Sequence, residues 1–315
     1  RKILPLFILS FFLVSSCKEK KTETKEIANG TPSWAKNSSM YEVNIRQYTP
    51  EGTFKAFETH IPRLKELGID ILWLMPIHPI GELNRKGSLG SYYSIKDYKA
   101  VNPEFGSLDD FKSLVKTAHD NGMKLIIDWV GNHSSWDHEW VKSHPEYYKK
   151  DSTGKLLSPY DWTDVVALDY FNKELNQEMI DIMKYWIEEC GIDGYRCDVA
   201  FMVPNHFWLE ARKSLDKIKP VFMLAESEEI NHHDSGFDAT YAWEFMHINN
   251  EIAKGKKNVF DLVNYLKKQD TSFKESAYRL SFVTNHDENS WNGTEYERYG
   301  KAVRPFTVLA YTLAG

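Results

Sequence analysis

From residue 40 onward the chain alternates short apolar runs with longer amphipathic stretches. "MYEVNIRQYT" reads as a strand, and residues 53–68, "TFKAFETHIPRLKELG", as a helix closed by Gly68. "IDILWLMPI" is a continuous apolar run, the pattern of a strand buried on both faces. "SLDDFKSLVKTAHDNG" predicts a helix with Ser107 as its cap and Gly122 as its stop. "MKLIIDWV" is the third strand, after which a polar and aromatic segment, residues 131–168, interrupts the rhythm. It resumes with a helix over 173–190, the strand "IDGYRCDV", a helix over 206–219 and the strand "VFMLAES". "FDATYAWEF" is a weaker sixth strand, "VFDLVNYLKKQ" a helix, "YRLSFVTN" the seventh strand, and "AVRPFTVLAYTLAG" the start of another helix.

Strand–helix alternation without hairpin signals predicts a parallel sheet of the α/β class. Seven units in a row predict a (β/α)8 TIM barrel with a short inserted domain after strand three, truncated before strand eight. The competing doubly wound sheet would carry a glycine-rich phosphate turn after its first strand, and "IRQYTPEGTF" has none.

The first residues follow another pattern. Arg1 and Lys2 precede "ILPLFILSFFLV", too short to span a bilayer but suited to a signal-peptide core. "VSSC" follows and resembles the cleavage and lipidation box of bacterial lipoproteins, with Cys17 as the acylated residue. Residues 18–39 are mostly polar and charged and read as a flexible tether. The expected organisation is a leader over 1–17, a tether over 18–39 and a barrel over 40–315 with 131–168 inserted. The expected location is a bacterial cell envelope, held to the membrane by lipid.

Composition narrows the function. A formal net charge of -6 gives no basic face for nucleic acid. Three cysteines make neither a disulfide framework nor a pair at zinc-ligand spacing. Ten Trp and seventeen Tyr suit an aromatic-lined groove.

The polar residues gather at the C-terminal ends of the strands. His78 and Tyr93 follow strand two; Asp128, Asn132 and His133 lie at and after the end of strand three. Arg196 and Asp198 close strand four, Glu226 strand five, and Asn285, His286 and Asp287 strand seven. Arg196 and Asp198, two apart, project from one face of their strand, where buried charges need a partner or a use. In a barrel all these ends meet on the face where active sites are built. Carboxylates with histidines there permit a metal hydrolase or a glycoside hydrolase using two carboxyl groups. "NHHD", residues 231–234, is the only adjacent histidine pair and reads as a surface loop.

"DWVGNH", "GYRCDVA", the Glu of "FMLAES" and "VTNHD" resemble, in order, the four signature regions of the α-amylase family of glycoside hydrolases. "VALDYFNKEL" resembles a fifth. The resemblance implies Asp198 as nucleophile, Glu226 as general acid/base and Asp287 as a third carboxylate that orients the sugar. It implies Arg196 as the residue keeping Asp198 ionised, His133 and His286 as hydroxyl ligands, and Tyr93 as a stacking ring. A cation so placed predicts a lowered Asp198 pKa, and burial a raised one for Glu226. The substrate class implied is starch-derived α-glucans or maltodextrins, with transglycosylation as a companion activity and no cofactor for the chemistry. A structural calcium ion is allowed, Asn132 and Asp169 aligning with ligands of the family. The family's usual Lys and His after the nucleophile are replaced by Phe201 and Met202, which departs from a standard endo-amylase. The family's C-terminal β domain is also expected beyond residue 315. The alternative is a catalytically inactive glycan-binding lipoprotein of the same fold.

Overall fold

The computed structural model describes residues 30–313. The leader, Cys17 and residues 18–29 of the expected tether lie outside the described residues. The last part of that tether is packed: Ala35 is buried, the Trp34 ring lies 6.2 Å from Phe222, and Gly30 O accepts from Arg212 Nη2 at 3.1 Å.

Seven strands form one parallel sheet in chain order: β1 (Met40–Val43), β2 (Ile71–Leu74), β3 (Lys124–Trp129), β4 (Gly194–Cys197), β5 (Phe222–Ala225), β6 (Ala239–Tyr241) and β7 (Tyr278–Leu280). Alternation along each strand sorts the side chains onto two faces. Leu72, Leu74, Leu125, Ile127, Tyr195, Cys197 and Met223 join the large core shared with the helices. Ile71, Trp73, Ile126, Phe222, Leu224, Ala239 and Tyr241 form a separate cluster on the other face.

That second cluster shows the sheet to be curled. Strands neighbour one another at about 4.8 Å, so in a flat sheet β2 and β6 would stand about 19 Å apart. Instead the rings of Trp73 and Tyr241 meet at 6.4 Å. The inner cluster is thus the filled interior of a barrel wall of seven strands. Gly194 starts β4 because nothing larger fits. Its φ is +152°, and a Cβ there would stand 1.9 Å from the Phe222 carbonyl oxygen.

The helices follow the cap signals. Ser107 and Asp110 form a capping box on Leu108–Asp120, and Asn172 and Gly191 bound Lys173–Cys190. Residues 53–68 depart from the single helix expected. They form two, Phe54–Glu58 and Ile61–Glu66, the second carrying Pro62 in its first turn, where a missing N–H is tolerated. β1 and β7 are shorter than expected, and Trp243–Ala253 is a helix that the pattern did not signal. Among the described residues no helix is long and apolar enough to cross a membrane.

The segment after β3 folds back on itself. His133–Ser135 pairs antiparallel with Val165–Ala167, with isolated bridges between Tyr148 and Leu168 and between Lys150 and Leu156.

Candidate active site

Above the apolar interior the inward positions turn polar: Ile126 is followed by Asp128, Leu224 by Glu226, and Arg196 by Asp198. The register that pairs Asp128 with Arg196 and Arg196 with Leu224 brings these charges level. Arg196 is the hub and is fully buried. Its Nη1 donates to Asp128 Oδ1 at 2.8 Å and to Asp198 Oδ1 at 3.0 Å, and its Nε to the Tyr241 hydroxyl at 3.2 Å. Its Nη2 lies 2.9 Å from Glu226 Oε1, an ion pair whose angles fall short of a hydrogen bond. The guanidinium also lies over the Trp73 ring, 5.1 Å from its centroid.

One cation therefore serves three carboxylates. The consequence reverses the expectation for Asp198. Burial raises its pKa, Arg196 lowers it and the Asp128 charge raises it again, leaving it above the usual carboxylate range. Asp128 is raised likewise, burial first. Glu226 is raised further, to about 7, by burial, with Arg196 opposing and the Asp198 charge adding. Asp198 and Glu226 are buried but each keeps about 7% exposure, a narrow opening to solvent.

Val199 joins the two strand ends. Its N–H donates to Glu226 Oε2 at 2.6 Å. Its φ of +36° and ψ of +50° are left-handed, a strained state for a β-branched residue. Such strain persists only where its surroundings hold it, as the Glu226 contact does here.

Tyr93, Asp128 and His286 form a second chain of contacts. The Tyr93 hydroxyl donates to Asp128 Oδ2 at 3.2 Å and bonds His286 Nε2 at 2.8 Å, and the two rings stack at 5.5 Å. Trp73 Nε1 also donates to Asp128 Oδ2, at 3.2 Å. Glu42 on β1 was not singled out in the sequence. Its Oε1 bonds His286 Nδ1 at 2.5 Å, and its Oε2 accepts from the His286 backbone N–H at 3.1 Å. Burial pushes the His286 pKa down, but Glu42 more than reverses this and holds it raised. This pair ties β1 to the segment after β7, the two outer strands of the sheet. The only sequence signal was a carboxylate at an inward position of β1, since Glu42 pairs in register with Trp73.

The other expected residues divide. His133 is buried beside Asn132, with its ring 5.5 Å from that of Trp162, and burial lowers its pKa to about 4. Asp287 is exposed, and among the described residues no hydrogen bond or ion pair joins it to the cluster. Asn285 caps the helix His286–Trp291, and Glu42 turns His286 inward. The next residue, about 100° around that helix, faces away. His78 is a core residue, packed against Trp186 and Tyr98. "NHHD" is no open loop: His232 is buried against Phe237, and His233 bonds the Thr240 hydroxyl.

For a metal the structure offers little. The Asn132 amide nitrogen is turned to His133 Nδ1, and Asp169 Oδ1 accepts from the Phe171 N–H. Among the described residues no group of three or more His, Cys, Asp or Glu is placed to hold a metal ion.

Comparison with known proteins agrees with this geometry. The chain matches the family model described as "Alpha amylase, catalytic domain" over residues 20–164 and 159–313. It is similar to the crystal structure of an α-amylase from Lactobacillus plantarum, with 42% identity and a TM-score of 0.76, covering 80% of this chain and 63% of that one. A maltogenic α-amylase from Thermotoga neapolitana matches with 39% identity and a TM-score of 0.77, over 81% of this chain and 60% of that one. Alpha-amylase 3 of Dictyoglomus thermophilum is 27% identical over 81% of this chain and 57% of that protein. The chain spans about half the length of the curated relatives it matches.

Proposed function

The chain belongs to the α-amylase family of glycoside hydrolases, and we propose that it is a retaining α-glycosidase acting on α-glucosidic bonds of starch-derived glucans or maltodextrins. The observation that carries this is the pair Asp198 and Glu226 on one guanidinium, with Glu226 holding its proton up to about pH 7. Retaining glycosidases need one ionised and one protonated carboxyl group, about 5–5.5 Å apart.

In this reading Glu226 gives its proton to the glycosidic oxygen as that bond breaks. Asp198 attacks the anomeric carbon and forms a glycosyl ester, and the shortened sugar leaves with the proton. Glu226, now a carboxylate, takes a proton from water, whose oxygen displaces Asp198 and restores both groups. A sugar hydroxyl in place of water gives transglycosylation. Arg196 remains charged throughout and favours the ionised Asp198 between turnovers. Tyr93, His133 and His286 are the proposed contacts of the sugar being cleaved.

Asp287 is proposed as the third carboxylate on resemblance alone, and its exposed position favours the second reading, a binder without turnover. Product analysis on starch, pullulan, cyclodextrin and maltotriose decides between them. Shortened α-glucans support the first reading; sugar binding with no product supports the second.

The envelope location is likewise proposed, on Arg1 and Lys2, the apolar run and "VSSC". Changing Cys17 to Ser should release the protein from the membrane fraction of a bacterial host. A soluble protein with Cys17 intact would contradict it.

A further inference from the structure

One exposed aromatic feature borders the site and is not used by the chemistry above. Tyr160 is 73% exposed, although large apolar rings normally find cover. Its φ of +49° is left-handed, a conformation that disfavours any residue with a side chain. Its ring meets Trp162 edge-on at 5.5 Å, and Trp162 meets His133 edge-on at the same distance. The turn that carries both rings is tied down from three directions. Lys86 Nζ donates to the Asp161 carbonyl at 3.1 Å, Ser94 Oγ to the Asp164 carbonyl at 3.2 Å, and Trp136 Nε1 to the Thr163 carbonyl at 3.0 Å. Ser94 is the neighbour of Tyr93, and Asp164 is close enough for its charge to be felt at His133.

With most of its ring in solvent, the edge contact with Trp162 buries too little of Tyr160 to repay its strain. Strain of this kind clusters where a ligand is clamped. A flat ring with a polar tip suits a sugar, whose C–H face lies on the ring while its hydroxyls stay wet. We infer that Tyr160 and Trp162 form an aromatic platform continuing outward from His133, and that it holds glucose units of the α-glucan chain beyond the one being cleaved. This rests on the α-glucan reading above and adds the residues that would make the protein prefer longer chains.

The test compares kcat/KM for maltohexaose and maltotriose in the wild type and in Tyr160→Gly, Tyr160→Ala and Tyr160→Phe. The expected result is a fall of about tenfold in the hexaose-to-triose ratio for Gly and Ala, the scale of one lost aromatic contact. Phe should keep most of the ratio. The Tyr160→Gly protein should melt at the wild-type temperature, since relief of the left-handed backbone offsets the added freedom of its unfolded chain. An unchanged ratio would overturn the platform, and so would equal losses on both sugars, which mark a structural role. If the wild type turns over neither sugar, the reading above fails. The platform is then tested by maltohexaose binding in a calorimeter, where an unchanged affinity in Tyr160→Gly overturns it.

Discussion

Replacing Glu42 with Gln separates the electrostatics of this site from its geometry. Glu42 bonds both the ring and the backbone N–H of His286, and the Tyr93 hydroxyl links His286 onward to Asp128. Gln keeps an acceptor for the backbone N–H but removes the charge that holds the His286 pKa up. His286 then loses its proton at lower pH, and a positive charge near the carboxylates is lost. The two contacts of Tyr93 put His286 Nε2 about 6 Å at most from Asp128 Oδ2. Unit charges about 6 Å apart interact by about 3 kcal/mol at an effective dielectric constant of about 20, an upper bound equal to roughly 2 pH units. With screening at this partly open site, a shift of about one unit is expected. Its direction follows from distance: the His286 charge lowers the pKa of Asp128, Asp198 and Glu226, and it stands nearer to them than the Glu42 charge lost with it, which lies on the far, Nδ1 side of the ring. Without it all three rise, so both limbs of the pH profile of kcat/KM move to higher pH. The assay is kcat/KM on maltotriose from about pH 4 to about pH 10. Glu42→Ala serves as the structural control. It also leaves the His286 N–H without its partner, and the melting temperature should fall, by the equivalent of about 1 kcal/mol for this part-exposed pair. An unmoved profile in Glu42→Gln, or limbs moving to lower pH, would refute the reasoning.

Four further outcomes are expected. In the wild type, kcat/KM should fall tenfold per pH unit above about 7 as Glu226 loses the proton it must donate, and Glu226→Gln should abolish that limb. The same shift makes the folded protein bind more protons than the unfolded chain, so its contribution to stability is lost as pH rises from about 4.5 to about 7; thermal melts across that range read it. Asp198→Asn should lose turnover by several orders of magnitude with an unchanged far-ultraviolet spectrum, since an amide does not form the ester. Val199→Gly should relieve a left-handed valine, leaving the melting temperature equal or higher, while kcat falls about tenfold because the N–H that donates to Glu226 remains but is no longer held in one position.

The barrel was legible because its central strands are buried on both faces. "ILWL", "GYRC" and "FMLA" have no exposed position, so their apolar runs are continuous and their type is plain. β1 and β7, at the outer edges of the sheet, are only partly buried, and their ends were misjudged. The break at residues 59–60 was missed because a proline in the first turn of a second helix leaves the apolar spacing intact. In the site, Arg196, Asp198 and Glu226 were readable from strand position and signature, and the structure places them together. The Asp198 pKa was not, since it depends on Asp128, which lies 68 residues before the Arg196 that joins the two carboxylates. Glu42 was missed for the same reason: its partner lies 244 residues along the chain. Tyr160 carries no pattern at all, because a left-handed φ in a loop is a property of its surroundings.

The central claim is that Asp198 forms a covalent bond to the sugar while Glu226 handles the proton. It is tested most directly by giving Glu226→Gln protein an α-maltosyl fluoride. Fluoride leaves without acid help, so the first step proceeds, while the second lacks its base and the intermediate accumulates. Peptide mass spectrometry of the quenched protein should then find maltosyl ester on Asp198. Free maltose with no labelled protein, or a label on any other carboxylate, would contradict the account.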